Sequence, residues 1–139
     1  MTSPALHGSC GCGAVTFTVS EPLVAAAYCH CTRCQKRTGT AVQASAKAAP
    51  GSVEITAGAE HLGSWQPPGG LSKDFCRECG SHLFGSDRDS GEISIVRMAA
   101  IDGDPGVRPA AHQFVANAAE WEPIPDDDLP RFDERIPDP

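Results

Sequence analysis

The sequence predicts a mostly β domain of antiparallel sheets with very little helix, and three observations carry that prediction. Apolar residues recur with a period of two in short runs, Gly- and Pro-rich breaks separate the runs, and no amphipathic stretch is long enough for a sizeable helix. A length of 139 residues suits one domain around one core.

The clearest strand is 14–19, where Val15, Phe17 and Val19 alternate with Thr16 and Thr18 as on a half-buried strand of β-branched residues. Residues 23–28 form a shorter candidate. One or two helical turns over 32–37 are the only helix expected. Further short strands are expected at 41–46, 52–57, 61–65 and 81–84. Residues 92–98 alternate again, with Ile93 and Ile95 on one face, and 112–116 is the last strand candidate. Breaks at Pro50-Gly51, Pro67-Pro68-Gly69-Gly70 and Asp102-Gly103-Asp104-Pro105-Gly106 supply the turns. No internal repeat or low-complexity tract interrupts this pattern.

Composition shows where such a fold needs help. Hydrophobic residues are 40% of the chain but aromatics only 6%, so the core is built from Val, Ile, Leu and Ala, and something else is expected to reinforce it. The formal charge is -7, and the last twenty residues, with eight acids, two arginines and five prolines, carry -6 of it. Such a segment buries little apolar surface. The chain therefore divides into a domain over 1–122 and an acidic, Pro-rich tail over 123–139 that lies on the domain or leaves it.

This charge balance disfavours nucleic acid as a partner, since phosphate contacts need clustered Lys and Arg. No apolar run reaches the 18 or more residues of a membrane span, and the first residues lack the basic and apolar regions of a secretion signal. A cytoplasmic location is expected, where thiols stay reduced and clustered cysteines hold metal or do chemistry more often than they pair.

The seven cysteines fall in three groups: Cys10-Gly11-Cys12, Cys29-His30-Cys31-Thr32-Arg33-Cys34 and Cys76-Arg77-Glu78-Cys79. Two short pairs far apart in sequence are the usual way to assemble tetrahedral zinc, each pair folding its thiolates onto one side of the ion. Cys10, Cys12, Cys76 and Cys79 are thus the candidate ligands of a structural zinc, which can contribute on the order of 10 kcal/mol to folding. Buried free thiols are the plainer reading. Glycines flanking these pairs suit the cramped turns.

Cys29, Cys31 and Cys34 supply three thiols, and zinc with three protein ligands keeps an open fourth position. A metal-free reactive thiol group or a redox pair is the other reading of this cluster. His30, between two ligands on an extended segment, should point away from the ion. Arg33, Lys36 and Arg37 place +3 within nine residues, either as a solvated turn or as an anion-binding rim.

The runs Gly8-Ser9-Cys10-Gly11-Cys12-Gly13-Ala14-Val15, Tyr28-Cys29-His30-Cys31-Thr32-Arg33-Cys34 and Phe75-Cys76-Arg77-Glu78-Cys79-Gly80-Ser81-His82-Leu83 resemble the glutathione-dependent formaldehyde-activating family, also called the centromere-protein-V domain family. His112, Trp121 and Asp127-Asp128-Leu129-Pro130-Arg131-Phe132 resemble its C-terminal signature. The resemblance implies an Mss4-like fold with zinc-binding hairpins, a structural zinc on Cys10, Cys12, Cys76 and Cys79, and a second zinc on Cys29, Cys31 and Cys34. It also implies a carbon-sulfur lyase that joins glutathione to formaldehyde as S-hydroxymethylglutathione.

The expected chemistry follows from the open site. Zinc on Cys29, Cys31 and Cys34 accepts a glutathione-like thiol, and the thiolate attacks a small aldehyde or is released in the reverse step. Arg33, Lys36 and Arg37 pair with the carboxylates of that thiol, and His82 or His112 moves the proton. The alternative is a non-catalytic zinc module for protein or metal-exchange contacts.

Overall fold

The structure, a computed structural model, describes residues 5–137. In chain order these form β1 (Leu6–Ser9), β2 (Thr16–Val19), β3 (Ala25–Cys29), α1 (Thr32–Thr38), β4 (Gln43–Lys47), β5 (Val53–Ala57) and β6 (Leu62–Trp65). β7 (Ser72–Cys76), β8 (His82–Ser86), β9 (Ile93–Arg97) and β10 (His112–Gln113) follow, with three short 3-10 turns. The molecule is mostly β with one short helix, as the alternation predicts. No helix among the described residues is long and apolar enough to cross a membrane.

The strands make two sheets, one ordered β1-β2-β5 and one ordered β10-β3-β4-β9-β8-β7-β6. Neighbours are antiparallel except β10, which lies parallel to β3. The sheets meet through Val15, Phe17 and Val19 on one side and Ala26, Ala46, Phe84 and Val96 on the other. The Phe17 and Phe84 rings touch edge to face, centroids 4.8 Å apart at 77°. Small alanines let the sheets close around these two rings. Phe17→Ala is therefore expected to cost about 3–5 kcal/mol. The urea midpoint of the zinc-saturated protein checks this, and a change below about 1 kcal/mol would mean that the ring is not central.

Two strands escape the alternation rule. β1, Leu-His-Gly-Ser, has too little apolar pattern to be read. β7 buries its polar residues, because Ser72 and Ser86 donate to the two carboxylate oxygens of Asp74 at 3.0 and 2.6 Å. In β9 the expectation that Ile93 and Ile95 share a face fails. Gly85 pairs with Ile95 and Ser86 with Ile93, a register shift that puts an extra β9 residue between the pairs. Ile93 packs on the core, whereas Ile95 lies on the face opposite Val96. The candidate strand at 112–116 is only the two residues of β10, followed by a 3-10 turn at Val115–Asn117.

Paired residues project to the same face of a sheet. One face of the larger sheet, bearing Val96, Ala46 and Phe84, packs on the core. The other carries the pairs Cys29–Gln43, Ser45–Arg97 and Trp65–Lys73, with α1 beside it. Beyond β10, His112 N–H donates to Pro130 and Phe132 N–H donates back to His112, at 2.9 and 2.8 Å. Phe114 N–H reaches Glu134 and Val115 N–H reaches Phe132, so the acidic C-terminal segment lies along the edge of the sheet beside β10.

Candidate metal centres

Cys10 follows β1, Cys12 lies in the turn to β2, Cys76 ends β7 and Cys79 lies in the turn to β8. Their four Sγ atoms all fall within 4.8 Å of one another. The two turns are built alike. Cys10 N–H donates to Val15 O and Cys76 N–H to Ser81 O, each spanning five residues. Gly13 and Gly80, both at φ 79°, turn the chain where a side chain would be strained. Val15 N–H points at Cys10 Sγ at 3.2 Å, and Ser81 Oγ sits 3.1 Å from Cys79 Sγ and accepts Gly11 N–H. The Ser81 hydroxyl and backbone draw the Cys79 thiol down to about 6.

Two sulfur separations are 3.6 Å, Cys10 to Cys12, and 3.9 Å, Cys12 to Cys76. Tetrahedral zinc with bonds of about 2.3 Å needs edges near 3.8 Å. This donor set therefore suits zinc in both chemistry and spacing, and it ties β1 to the β7–β8 hairpin.

The second cluster is assembled by α1. Cys29 ends β3, Cys31 is the N-cap whose Sγ accepts the Cys34 N–H at 3.3 Å, and Cys34 lies in the first turn. Gly39, in the left-handed conformation, ends the helix by donating to Gln35 O. The three Sγ atoms lie within 4.8 Å of one another. Hydrogen bonds from Cys29 and Cys34 pull Cys31 down to about 2, while Cys29 and then Cys31 push Cys34 well up. One thiolate is thus stabilised at the expense of its neighbours, so the set reaches full ionisation only against a cation. Three soft sulfur donors fit zinc and leave its fourth position to another ligand.

His30 turns away from this cluster. Its ring is 4% exposed, and its Nε2 lies 2.8 Å from Nδ1 of His112, which is 2% exposed. His112 Nε2 lies 2.8 Å from Asp127 Oδ2, and Tyr28 stacks on the His112 ring at 4.9 Å. Burial holds His30 below the ordinary imidazole range. The His112 hydrogen bond holds Asp127 below the usual carboxylate range. The Asp127 carboxylate accepts the Nε2–H of His112, and a single hydrogen lies between His112 Nδ1 and His30 Nε2, carried by one ring or the other. Gln35 Nε2 also clamps His30 O to Asn117 O at 2.8 Å each. Both ring nitrogens of His112 are thus committed to support.

Asp127→Asn should loosen the Cys29-His30-Cys31 segment. Second-sphere changes of this kind cost about ten-fold or more in metal affinity, and competition with a chelating dye reads that loss at the second site. Unchanged affinity at both sites would show that the chain of rings is mere packing. Because Asp127 is depressed in the fold, its contribution is complete above about pH 4 and disappears as pH falls through its folded value.

Around Cys34 the cations are Arg33, Arg37, Lys73 and Arg97. The guanidinium groups of Arg33 and Arg37 lie 6.0 and 5.7 Å from the Trp65 ring. Arg37 Nη2 donates to His82 Nδ1 at 3.2 Å, and burial, then the charges of Arg37 and Arg97, keep His82 low and neutral. Lys36 is exposed. The structure thus brings Arg33, Arg37 and His82 into one neighbourhood and places His112 behind His30. The sequence pattern points to neither Lys73 nor Arg97, and it marks Asp127 only as part of a C-terminal run, without its partner His112. The charged end of the apolar run 93–97 is the one sign of Arg97.

Two β-sheets that gather seven thiols as four and three define a small β-sheet protein with two candidate metal centres. The chain belongs to the glutathione-dependent formaldehyde-activating enzyme family, whose model matches residues 5–117. It is 32% identical over 123 residues to a Halomonas elongata protein provisionally named as a glutathione-dependent formaldehyde-activating enzyme, covering 84% of this chain and 78% of that protein. A crystal structure of a Rhodobacter sphaeroides protein resembles it at 30% identity and a TM-score of 0.54, over 70% of this chain and 88% of that one. Asp127 lies beyond the matched residues.

Proposed function

We propose that this protein is a zinc-dependent carbon-sulfur lyase or synthase-like enzyme that binds a glutathione-like thiol and adds it to, or releases it from, a small aldehyde. The observation that carries this reading is the three-sulfur cluster of Cys29, Cys31 and Cys34, one donor short of a closed zinc site and bordered by cations. Family membership and the printed names of the family and its Halomonas relative support the reading.

Cys10, Cys12, Cys76 and Cys79 hold the structural ion, and Cys29, Cys31 and Cys34 hold the second. Zinc bound at the second set supplies Lewis acidity that keeps a substrate thiol ionised at neutral pH. The remaining work belongs to the chain. Arg33 and Arg37 attract the carboxylates of the peptide, with exposed Lys36 adding longer-range attraction. As the sulfur forms its bond to the carbonyl carbon, the carbonyl oxygen becomes an alkoxide and takes a proton to give the hemithioacetal. The reverse step returns that proton and expels the thiolate. His82 suits this transfer: Arg37 occupies its Nδ1, leaving Nε2 as the protonated nitrogen of a neutral ring. His112 takes part through His30 rather than by touching substrate.

Cobalt in place of zinc reports thiol ligation directly. Titrating the cobalt-loaded protein with glutathione should change the sulfur-to-cobalt charge-transfer band with saturation, and an unaltered band would falsify thiol binding at this centre.

A further inference from the structure

A cavity of about 630 Å³, the size of a site for a small organic molecule, opens among the end of α1, β4, β9 and the first of the four-cysteine turns. The charged groups of its lining balance: Arg97 stands against the Asp102 carboxylate, which accepts the Ser9 hydroxyl at 2.9 Å. His82, neutral as described above, is in the lining too. Such a mixture suits a neutral polar ligand better than a free anion.

Two polar side chains of the lining are more than nine-tenths buried and under-used. Gln43 is 6% exposed, and among the described residues its amide hydrogen-bonds to nothing, so the access it keeps is to the cavity it lines. Arg97 is 8% exposed; its Nη1 donates to Ser45 Oγ at 2.7 Å, while its Nε has no partner among the described residues. Buried donors are rarely left this way, because each forfeits a hydrogen bond that water would have supplied.

No cysteine of the three-thiol cluster lines this cavity, but three residues of the lining connect the two. Gln43 is the cross-strand partner of Cys29 and projects from the same face of the sheet, which places their Cβ atoms about 5 Å apart. Thr38 donates its hydroxyl to Cys34 O at 2.8 Å. Arg97 feels the charges of Cys34 and Cys29.

We infer that Gln43 is a catalytic residue whose amide N–H binds the carbonyl oxygen of the aldehyde in this cavity and holds the alkoxide formed there, with Arg97 adding charge. The inference rests on the thiol-addition reading above and supplies a donor for the oxygen that becomes negative. As the thiolate sulfur bonds to the carbonyl carbon, the π pair of the carbonyl passes to oxygen, where the Gln43 and Arg97 N–H groups stabilise it until the His82 proton arrives. In reverse, the oxygen loses that proton, its electron pair re-forms the carbonyl, and the carbon-sulfur bond breaks with its electrons on sulfur. Donors fixed in a water-poor site stabilise such charge without reorganising.

Thioacetate mimics the adduct, since its sulfur and oxygen share one carbon, and ethanethiol has the same size without the oxygen. Titration of the cobalt-loaded protein reads the binding of each. Gln43→Leu should weaken thioacetate about ten-fold, leave ethanethiol and glutathione within about two-fold, and slow aldehyde addition about 100-fold. Gln43→Glu, similar in shape but without the amide donor, should behave alike. Equal losses for all three thiols, or no loss for thioacetate, would overturn the assignment while leaving thiol ligation intact. A cobalt band that no thiol alters refutes instead the thiol reading on which the assignment depends. Should both variants fold poorly, the unsubstituted protein still decides. On binding, the carbonyl stretch of isotope-labelled thioacetate is expected to fall below its value in a cobalt thioacetate complex in aprotic solvent, and an unshifted stretch overturns the assignment.

Discussion

Cys76→Ser is expected to yield a chain that retains no cooperative fold, with zinc falling by one equivalent or more. Cys76 is fully buried at the end of β7, and with Cys79 it meets Cys10 and Cys12 from the other sheet. A four-thiolate zinc contributes on the order of 10 kcal/mol to folding. Typical net stabilities are about 5–15 kcal/mol, so little remains without the ion. The core offers modest reserve, since its contact between sheets has a single aromatic pair among valines and alanines. Chelation of the native protein should act in the same direction. Far-ultraviolet circular dichroism through a thermal scan, with elemental analysis of the purified chain, is the check. A melting transition within a few degrees of the parent would mean that the four cysteines are not the clip.

Cys31→Ser should behave in the opposite way, keeping the fold and losing the chemistry. Cys31 is half-buried and outside the core, and its structural duty is to accept the Cys34 N–H as the cap of α1. Serine is among the best residues for that duty, so the helix end survives the substitution. A hydroxyl is a far poorer zinc ligand than a thiolate. The variant is expected to hold one zinc where the parent holds two, to melt close to the parent at saturating zinc, and to lose more than about 100-fold in thiol binding and in aldehyde turnover. Turnover near the parent level would remove Cys31 from the site, and a collapsed fold would assign the second cluster a structural role.

Some of this was legible from the chain because the physics is local. β2 alternates cleanly, as one of its faces is buried, and the one or two turns expected over 32–37 are the helix Thr32–Thr38. The cysteine groups were legible for the same reason: C-x-C and C-x-x-C pairs bring their thiols together through a turn, whatever the rest of the fold does. β7 was hidden because its inward residues are polar and satisfied by Ser86, a partner on the next strand. The face of Ile93 was hidden because a register shift, not the alternation, sets it.

The surroundings of the second cluster belong to the tertiary structure. His30 and His112 are 82 positions apart, and only the parallel placement of β10 beside β3 joins them into a chain ending at Asp127. Arg97 becomes a buried cation near Cys34 because β9 pairs with β4. The sequence by itself determined the mostly β character and the division of seven thiols into four and three, the one legible in short-range alternation and the other in the C-x-C and C-x-x-C spacings. Which cations, histidines and carboxylate surround the three-thiol cluster was decided only by strand pairing, since the desolvation of a charge depends on what the fold packs against it.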